Sequence, residues 1–179
     1  MIELKGTGVN FTVSPSEGTL GTTMVLEGPG FGSKKGKVLV GGLAAKVAQW
    51  IPGRISLTLS KVPASAGTYP VVIQPKDPKG AEAITELEGF TLKGPEIEDL
   101  SANHGGMGQV ITINGKFFGS KKGKVYLGGK SCKVTSWIVN QAGGNDEIKF
   151  QFPKGVTGTQ ELHVSNRVGS SGTVSFTVD

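Results

Sequence analysis

Cysteine is nearly absent from the sequence, since Cys132 is the one cysteine among 179 residues. A single cysteine forms no internal disulfide, so the fold must depend on buried apolar side chains, and cysteine usage indicates no redox compartment. We expect Cys132 to be a small buried side chain. With two histidines, a zinc site of four protein ligands would also need carboxylates, and we expect neither a metal nor a cofactor.

Arginine is scarce as well. The formal net charge is +5, yet 17 of the 19 basic residues are lysines. Proteins that read bases or clamp phosphates rely on the flat, bidentate guanidinium group, so this balance argues against a nucleic-acid partner. No apolar run reaches the length of a membrane span, and the opening MIELKGTGV lacks the apolar core of a secretion signal, so we expect no membrane insertion.

Glycine, in contrast, is abundant, with 29 residues, more than twice the average usage of ~7%. The octapeptide FGSKKGKV occurs at residues 31–38 and again at 118–125. Residues 14–51 and 101–138 align without a gap and share 18 identities in 38 positions. Apolar and polar residues alternate in both copies, as in ISLTL and IKFQF, which is the pattern of strands with one buried face. The sequence therefore predicts an all-β protein with two tandem antiparallel β-sandwiches.

The repeat also predicts the domain organisation. We expect a first domain at residues 8–93 and a second at residues 95–179, joined by the short linker KGP, in which proline restricts the backbone. The segment IELKGT resembles FTLKGP, which closes the first copy. Residues 1–7 are therefore interpreted as the remnant of a preceding repeat or as an extension of the first strand. We expect a monomeric piece of a longer array.

The repeated motifs SPSEGTLGTTMVLEGPGFG and KVLVGGLAAKVAQW, with SANHGGMGQVITINGKFFG and KVYLGGKSCKVTSW in the second copy, resemble the IPT/TIG domain family. The second copy departs from the family pattern at Ala102, where proline is expected, and at Ser131 and Cys132, which replace Ala44 and Ala45. The resemblance implies an immunoglobulin-like fold. It also implies a bacterial cell-surface or secreted protein, whose modules act as spacers, adhesion units or protein-interaction units and contact proteins or polysaccharides.

The resemblance leaves two other functions open. One is a Rel-like module for dimerisation and DNA contact, which the basic composition suits and the scarcity of arginine opposes. The other is an accessory carbohydrate-binding module of a polysaccharide-active enzyme.

The octapeptide does not fit a phosphate-binding loop. Five residues before Gly36 stands Phe31 where that loop needs glycine, and Val38 occupies the place of the hydroxyl residue. We interpret it as a solvated turn in which Phe31 and Phe118 close one end of each core while Gly32 and Gly36 permit a positive φ. If the turns bind a ligand or anion, the candidate contacts are Lys34, Lys35, Lys37, Lys121, Lys122 and Lys124.

Trp50 and Trp137 occupy equivalent positions in the two copies. An exposed tryptophan can stack on a sugar or anchor an interface, whereas duplication at one position indicates a requirement of the fold. We expect both side chains to cover the edge of their own core and keep them as candidate aromatic contacts.

Features present in only one copy are not required by the fold. Asn145, Asp146 and Glu147 lie in a six-residue insertion and offer oxygen ligands, but three adjacent side chains are hard to aim at one calcium ion, so a solvated loop is expected. His163 and Ser165 share one strand face, yet the sequence has no Gly-x-Ser-x-Gly motif, and a small sandwich offers no obvious deep pocket. We therefore expect no catalytic residues and no enzyme activity.

Overall fold

The computed structural model describes residues 11–77, 83–140 and 145–179, except for the side chains of residues 85–88. Within these ranges the chain forms strands and no helix. The strands of the first half are β1 (Thr12–Ser14), β2 (Glu17–Gly18), β3 (Thr23–Glu27), β4 (Lys37–Val40), β5 (Leu43–Ala44), β6 (Lys46–Ile51), β7 (Arg54–Thr58), β8 (Gly67–Gln74) and β9 (Ile84–Leu92). Those of the second half are β10 (Glu96–Leu100), β11 (His104–Gly105), β12 (Val110–Lys116), β13 (Lys124–Leu127), β14 (Lys130–Ser131), β15 (Lys133–Ile138), β16 (Asp146–Gln151), β17 (Gly158–Ser165) and β18 (Val174–Val178).

Each half contains two sheets with the same strand order. The four-stranded sheets have the orders β1-β3-β7-β6 and β10-β12-β16-β15, and the five-stranded sheets have the orders β2-β9-β8-β4-β5 and β11-β18-β17-β13-β14. Strand β11 pairs with β18 in parallel, whereas the other pairs within the second half are antiparallel. This arrangement is an immunoglobulin-like sandwich, so the predicted fold class is confirmed in both halves.

The core of each half consists of the apolar residues that alternate along its strands. In the first half Ile55, Leu57 and Leu59 are fully buried, and in the second half Ile148 and Phe150 are fully buried too. Complete burial of one such side chain contributes about 1.5–3 kcal/mol, so each half is stabilised by its own set of buried side chains. Cys132 lies inside the second core as an unpaired thiol, as predicted.

The chain divides into two compact units, and along the sequence the largest segments of the two units are separated between Thr91 and Leu92. The short segments Gly18–Thr22 and Val62–Gly67 group with the second unit. The domain boundaries 8–93 and 95–179 stay a prediction. The predicted remnant of a preceding repeat, residues 1–7, lies outside the described residues.

Candidate functional site

The octapeptides form the connection that leads into β4 in the first half and into β13 in the second half. We call residues 31–38 the first lysine turn and residues 118–125 the second lysine turn. Phe31 and Phe118 begin the turns and are fully buried, as the sequence predicts. The lysines of both turns are exposed. Each turn is therefore fixed to the core by its first residue and presents its charged residues to solvent.

The two glycines of each turn serve different purposes. Gly32 and Gly119 have φ of 71° and 84°, a left-handed conformation that glycine adopts without steric cost. Gly36 was also expected to have a positive φ, and this prediction is wrong. A Cβ atom at Gly36 would lie 2.0 Å from the carbonyl oxygen of Gln74, so glycine is needed there because the backbone of β8 passes too close for any side chain.

The two tryptophans contact the lysine turns in the same way. The indole Nε1 of Trp50 donates a hydrogen bond to the carbonyl oxygen of Gly32 at 3.2 Å, and Nε1 of Trp137 donates to that of Gly119 at 2.9 Å. Both side chains are half-buried, and the ring of Trp137 packs against Phe118 with ring centroids 5.8 Å apart. Each indole thus satisfies a carbonyl group of its turn, and the indole of Trp137 also packs against the second core.

The second lysine of each turn also bonds to its own domain. Lys35 Nζ donates to the carbonyl oxygen of Val47 at 3.0 Å, and Lys122 Nζ donates to that of Val134 at 2.7 Å. Both carbonyl groups lie where the register of the strand pair shifts, after Val47 in β6 and after Val134 in β15. A bulge disrupts the ladder locally. The lysine amino group supplies a donor at that position in both halves.

The side chains of the remaining lysines of the turns make weaker contacts or none within the described residues. Lys34 Nζ lies 4.0 Å from a carboxylate oxygen of Asp77, and the Lys34 side chain is 71% exposed, so this ion pair contributes little to stability. Lys37, Lys121 and Lys124 are exposed. In the described ranges, the side chains of these three lysines make no hydrogen bond or ion pair. They are the turn residues that remain available to an external partner.

The inserted segment differs from the expected solvated loop. Asp146 and Glu147 belong to β16, and Asp146 is only 4% exposed. The carboxylate of Asp146 accepts hydrogen bonds from the backbone N–H groups of Phe118 and Asn140, each at 2.9 Å. Burial raises the pKa of Asp146, although both hydrogen bonds act in the opposite direction. Its role is therefore to hold the start of the second lysine turn.

The hydrogen bond from the N–H group of Phe118 to Asp146 lies next to a strained position of the backbone. Phe117 has a φ of 59°, where the first half has Gly30, and such a conformation costs a bulky residue about 1–3 kcal/mol. The amide group of Asn166 donates to the carbonyl oxygens of Phe117 and Phe118, each at 3.0 Å. Asn166 and Asp146 together hold the backbone of Phe117 and Phe118 by hydrogen bonds to its carbonyl and N–H groups.

One further pair of side chains is not predicted by the sequence pattern. Tyr126 in β13 and His163 in β17 are directly opposite each other, and their rings stack with centroids 5.0 Å apart and an angle of 20° between the planes. The equivalent pair in the first half is Leu39 and Val72. The sequence does contain this difference, because two aliphatic residues of the first copy are replaced by two aromatic rings in the second. The two rings are recognised as a pair only when the strand register is known.

The described residues offer neither a metal site nor a helical membrane span. In residues 11–77, 83–140 and 145–179, no three His, Cys, Asp or Glu side chains come close enough together to hold a metal ion. The same part of the chain contains no helix long and apolar enough to cross a membrane.

Comparisons with known proteins give a family match for the second half of the chain. Residues 95–178 match the IPT/TIG domain. No curated protein sequence matches the chain. Among solved structures, the full extracellular region of plexin A4 aligns at 18% identity with a TM-score of 0.46, covering 99% of this chain and 19% of plexin A4.

Two other solved structures also align. SGBP-B from a complex xyloglucan utilization locus in Bacteroides uniformis aligns at 16% identity with a TM-score of 0.42, covering 94% of this chain and 48% of that protein. The I9–I11 tandem of titin aligns at 11% identity with a TM-score of 0.42, covering 95% of this chain and 64% of the tandem. The chain thus spans only part of each of these proteins.

Proposed function

We propose that the chain, whose residues 95–178 match the IPT/TIG domain, is a non-catalytic modular protein of the cell surface or the secreted space. Its tandem immunoglobulin-like domains act as a spacer that projects an adhesion or interaction surface. The lysine turns belong to the fold, and protein or polysaccharide partners contact other exposed surfaces.

The observation that carries this proposal is the repetition of the same internal contacts in both lysine turns. Lys35 and Lys122 donate to their own backbone, and Trp50 and Trp137 do the same. A ligand site would leave these donors free for the ligand, whereas a structural turn uses them within each copy. The repetition therefore supports a structural role for the residues that the sequence offered as candidate contacts.

A spacer requires domains that keep a limited range of orientations. This requirement is tested by ¹⁵N relaxation on the full chain, which measures the rotational correlation time of each domain. We expect one common correlation time for both domains, because the linker is short and contains Pro95. Two separate and shorter correlation times, each typical of a single domain, would contradict the spacer role.

The Rel-like alternative is tested by DNA binding. Exposed lysines such as Lys37 and Lys121 attract any polyanion at low ionic strength, and this attraction falls steeply with salt. We expect binding to duplex DNA at 20 mM NaCl to disappear at 150 mM NaCl. Affinity that persists at 150 mM NaCl would favour the DNA-contacting module instead.

A further inference from the structure

The outer face of the five-stranded sheet in the second half combines aromatic and polar side chains. Leu162 and Val164 of β17 are fully buried, so the alternate residues Glu161 and His163 point away from the core. His163 stacks on Tyr126, and both rings are half-buried. The two stacked rings thus form a short aromatic ridge on the solvent side of the sheet.

A shallow, open depression of about 630 Å³ lies on this face, and its lining includes Gly128 and Glu161, which are two residues from Tyr126 and His163 along the chain. Its volume is within the range of roughly 300–1,000 Å³ that is usual for small-molecule sites. Glu161 lies in its wall, two residues before His163 on the same strand. The hydroxyl groups of Thr159, Thr173 and Ser175 line it as well. The depression therefore offers one carboxylate and several hydroxyl groups beside the ridge.

The first half has the same backbone but not the same side chains. The bond from the N–H of Gly41 to the carbonyl oxygen of Pro70 is matched by that from Gly128 to Glu161, both at 3.0 Å. Where the second half has the carboxylate of Glu161, the first has Pro70. Leu39 and Val72 replace the ring pair. The fold can therefore be built without these groups, so the fold does not explain their presence in the second half.

We propose that this face of the second half, centred on Tyr126, His163 and Glu161, is a binding site for a neutral oligosaccharide. Aromatic rings with a polar end pack against the C–H groups of a pyranose ring. A carboxylate and hydroxyl groups accept and donate the hydrogen bonds that sugar hydroxyl groups require. The carboxylate of Glu161 repels phosphate, sulfate and uronate groups, which argues against an anionic saccharide.

A peptide is a poorer ligand for this face. The backbone groups of β13 and β17 are already bonded within the sheet, so an extended peptide cannot add here as a further strand. The site goes beyond the spacer role, which needs no ligand.

The test is a titration of the ¹⁵N-labelled full chain, followed by ¹H–¹⁵N chemical shifts. The probes are cellohexaose, xylohexaose, mannohexaose and maltohexaose, each up to about 10 mM, which detects dissociation constants in the millimolar range. We expect at least one probe to give saturable shifts at Tyr126, Glu161 and His163. The double substitution Tyr126→Leu and His163→Val installs the pair with which the first half folds, and it should weaken binding at least tenfold.

A matched pair of variants separates the site from the fold. Thr159 and Thr177 have hydroxyl oxygens 3.3 Å apart, and Thr68 and Thr91 have the same arrangement at 3.4 Å in the first half. We expect Thr159→Val to weaken binding several-fold and Thr68→Val to leave it unchanged. Absence of saturable shifts with all four probes would overturn the proposal. Equal binding by the double variant, or shifts centred on the lysine turns, would overturn it as well. None of these outcomes bears on the common correlation time expected of a spacer.

Discussion

The close backbone approach in the second lysine turn predicts a large effect of a single methyl group. A Cβ atom at Gly123 would lie 2.2 Å from the carbonyl oxygen of Ser165 and 2.9 Å from the ring of Trp137. Neither distance is acceptable for a real side chain, and the oxygen belongs to backbone rather than to a flexible side chain. Gly123→Ala must therefore move β13 away from β17 by nearly 1 Å.

The magnitude follows from what that displacement disrupts. Overpacking of a closely packed region costs typically 1–3 kcal/mol, and Lys124 and Ser165 are paired in the sheet at this point, so that about 1 kcal/mol of hydrogen bonding is weakened in addition. We expect Gly123→Ala to lower the free energy of unfolding of the second domain by about 3 kcal/mol. A Cβ atom at Gly172 would meet no other atom within 4 Å, and Gly172→Ala should change stability by less than about 0.5 kcal/mol.

The assay is urea denaturation followed by tryptophan fluorescence. In a Trp50→Phe background, Trp137 is the sole tryptophan, so the signal reports on the second domain alone. The emission of native Gly123→Ala should also shift, because the added methyl group displaces the indole. Unfolding midpoints that agree for Gly123→Ala and Gly172→Ala would refute the reasoning that glycine is required by close approach.

Two further predictions concern buried groups of the second domain. Asp146→Asn leaves one of two backbone donors without an acceptor and should cost about 1–3 kcal/mol in urea denaturation at pH 7. Burial raises the pKa of Asp146 in the folded chain above its value in the unfolded chain. As the pH falls through the folded pKa, the native chain should therefore gain stability relative to Asp146→Asn. A difference in the free energy of unfolding that becomes smaller over this pH range would contradict the raised pKa. Burial raises the pKa of the Cys132 thiol to about 12, so at pH 8 the folded chain should react with a thiol reagent far more slowly than the chain in 8 M urea, and equal rates would show that the thiol is accessible.

The fold was predictable because its requirements are local and repeated. Alternation in segments such as ISLTL predicts strands, and a second copy with the same alternation shows that the pattern is not accidental. The burial of Phe31 and Phe118 and the positive φ of Gly32 follow from the same reasoning.

The remaining features depend on contacts between distant residues. The role of Gly36 depends on how closely β8 passes, and the role of Asp146 depends on a backbone N–H group that lies 28 residues earlier in the chain. Likewise, the stacking of Tyr126 on His163 depends on the register of β13 against β17. Residue spacing in the sequence does not determine these distances, so the polar contacts of the site follow from the three-dimensional structure alone.

The central claim is that the lysine turns belong to the fold, and the two adjacent lysines of the second turn test it most directly. Lys122 Nζ donates to the backbone of β15 at 2.7 Å, whereas Lys121 makes no contact of this kind with the described part of the chain. The decisive measurement is the free energy of unfolding of Lys122→Met and of Lys121→Met by urea denaturation. The account predicts a loss of about 1 kcal/mol for Lys122→Met and no change for Lys121→Met. Equal stability of the two variants would contradict it.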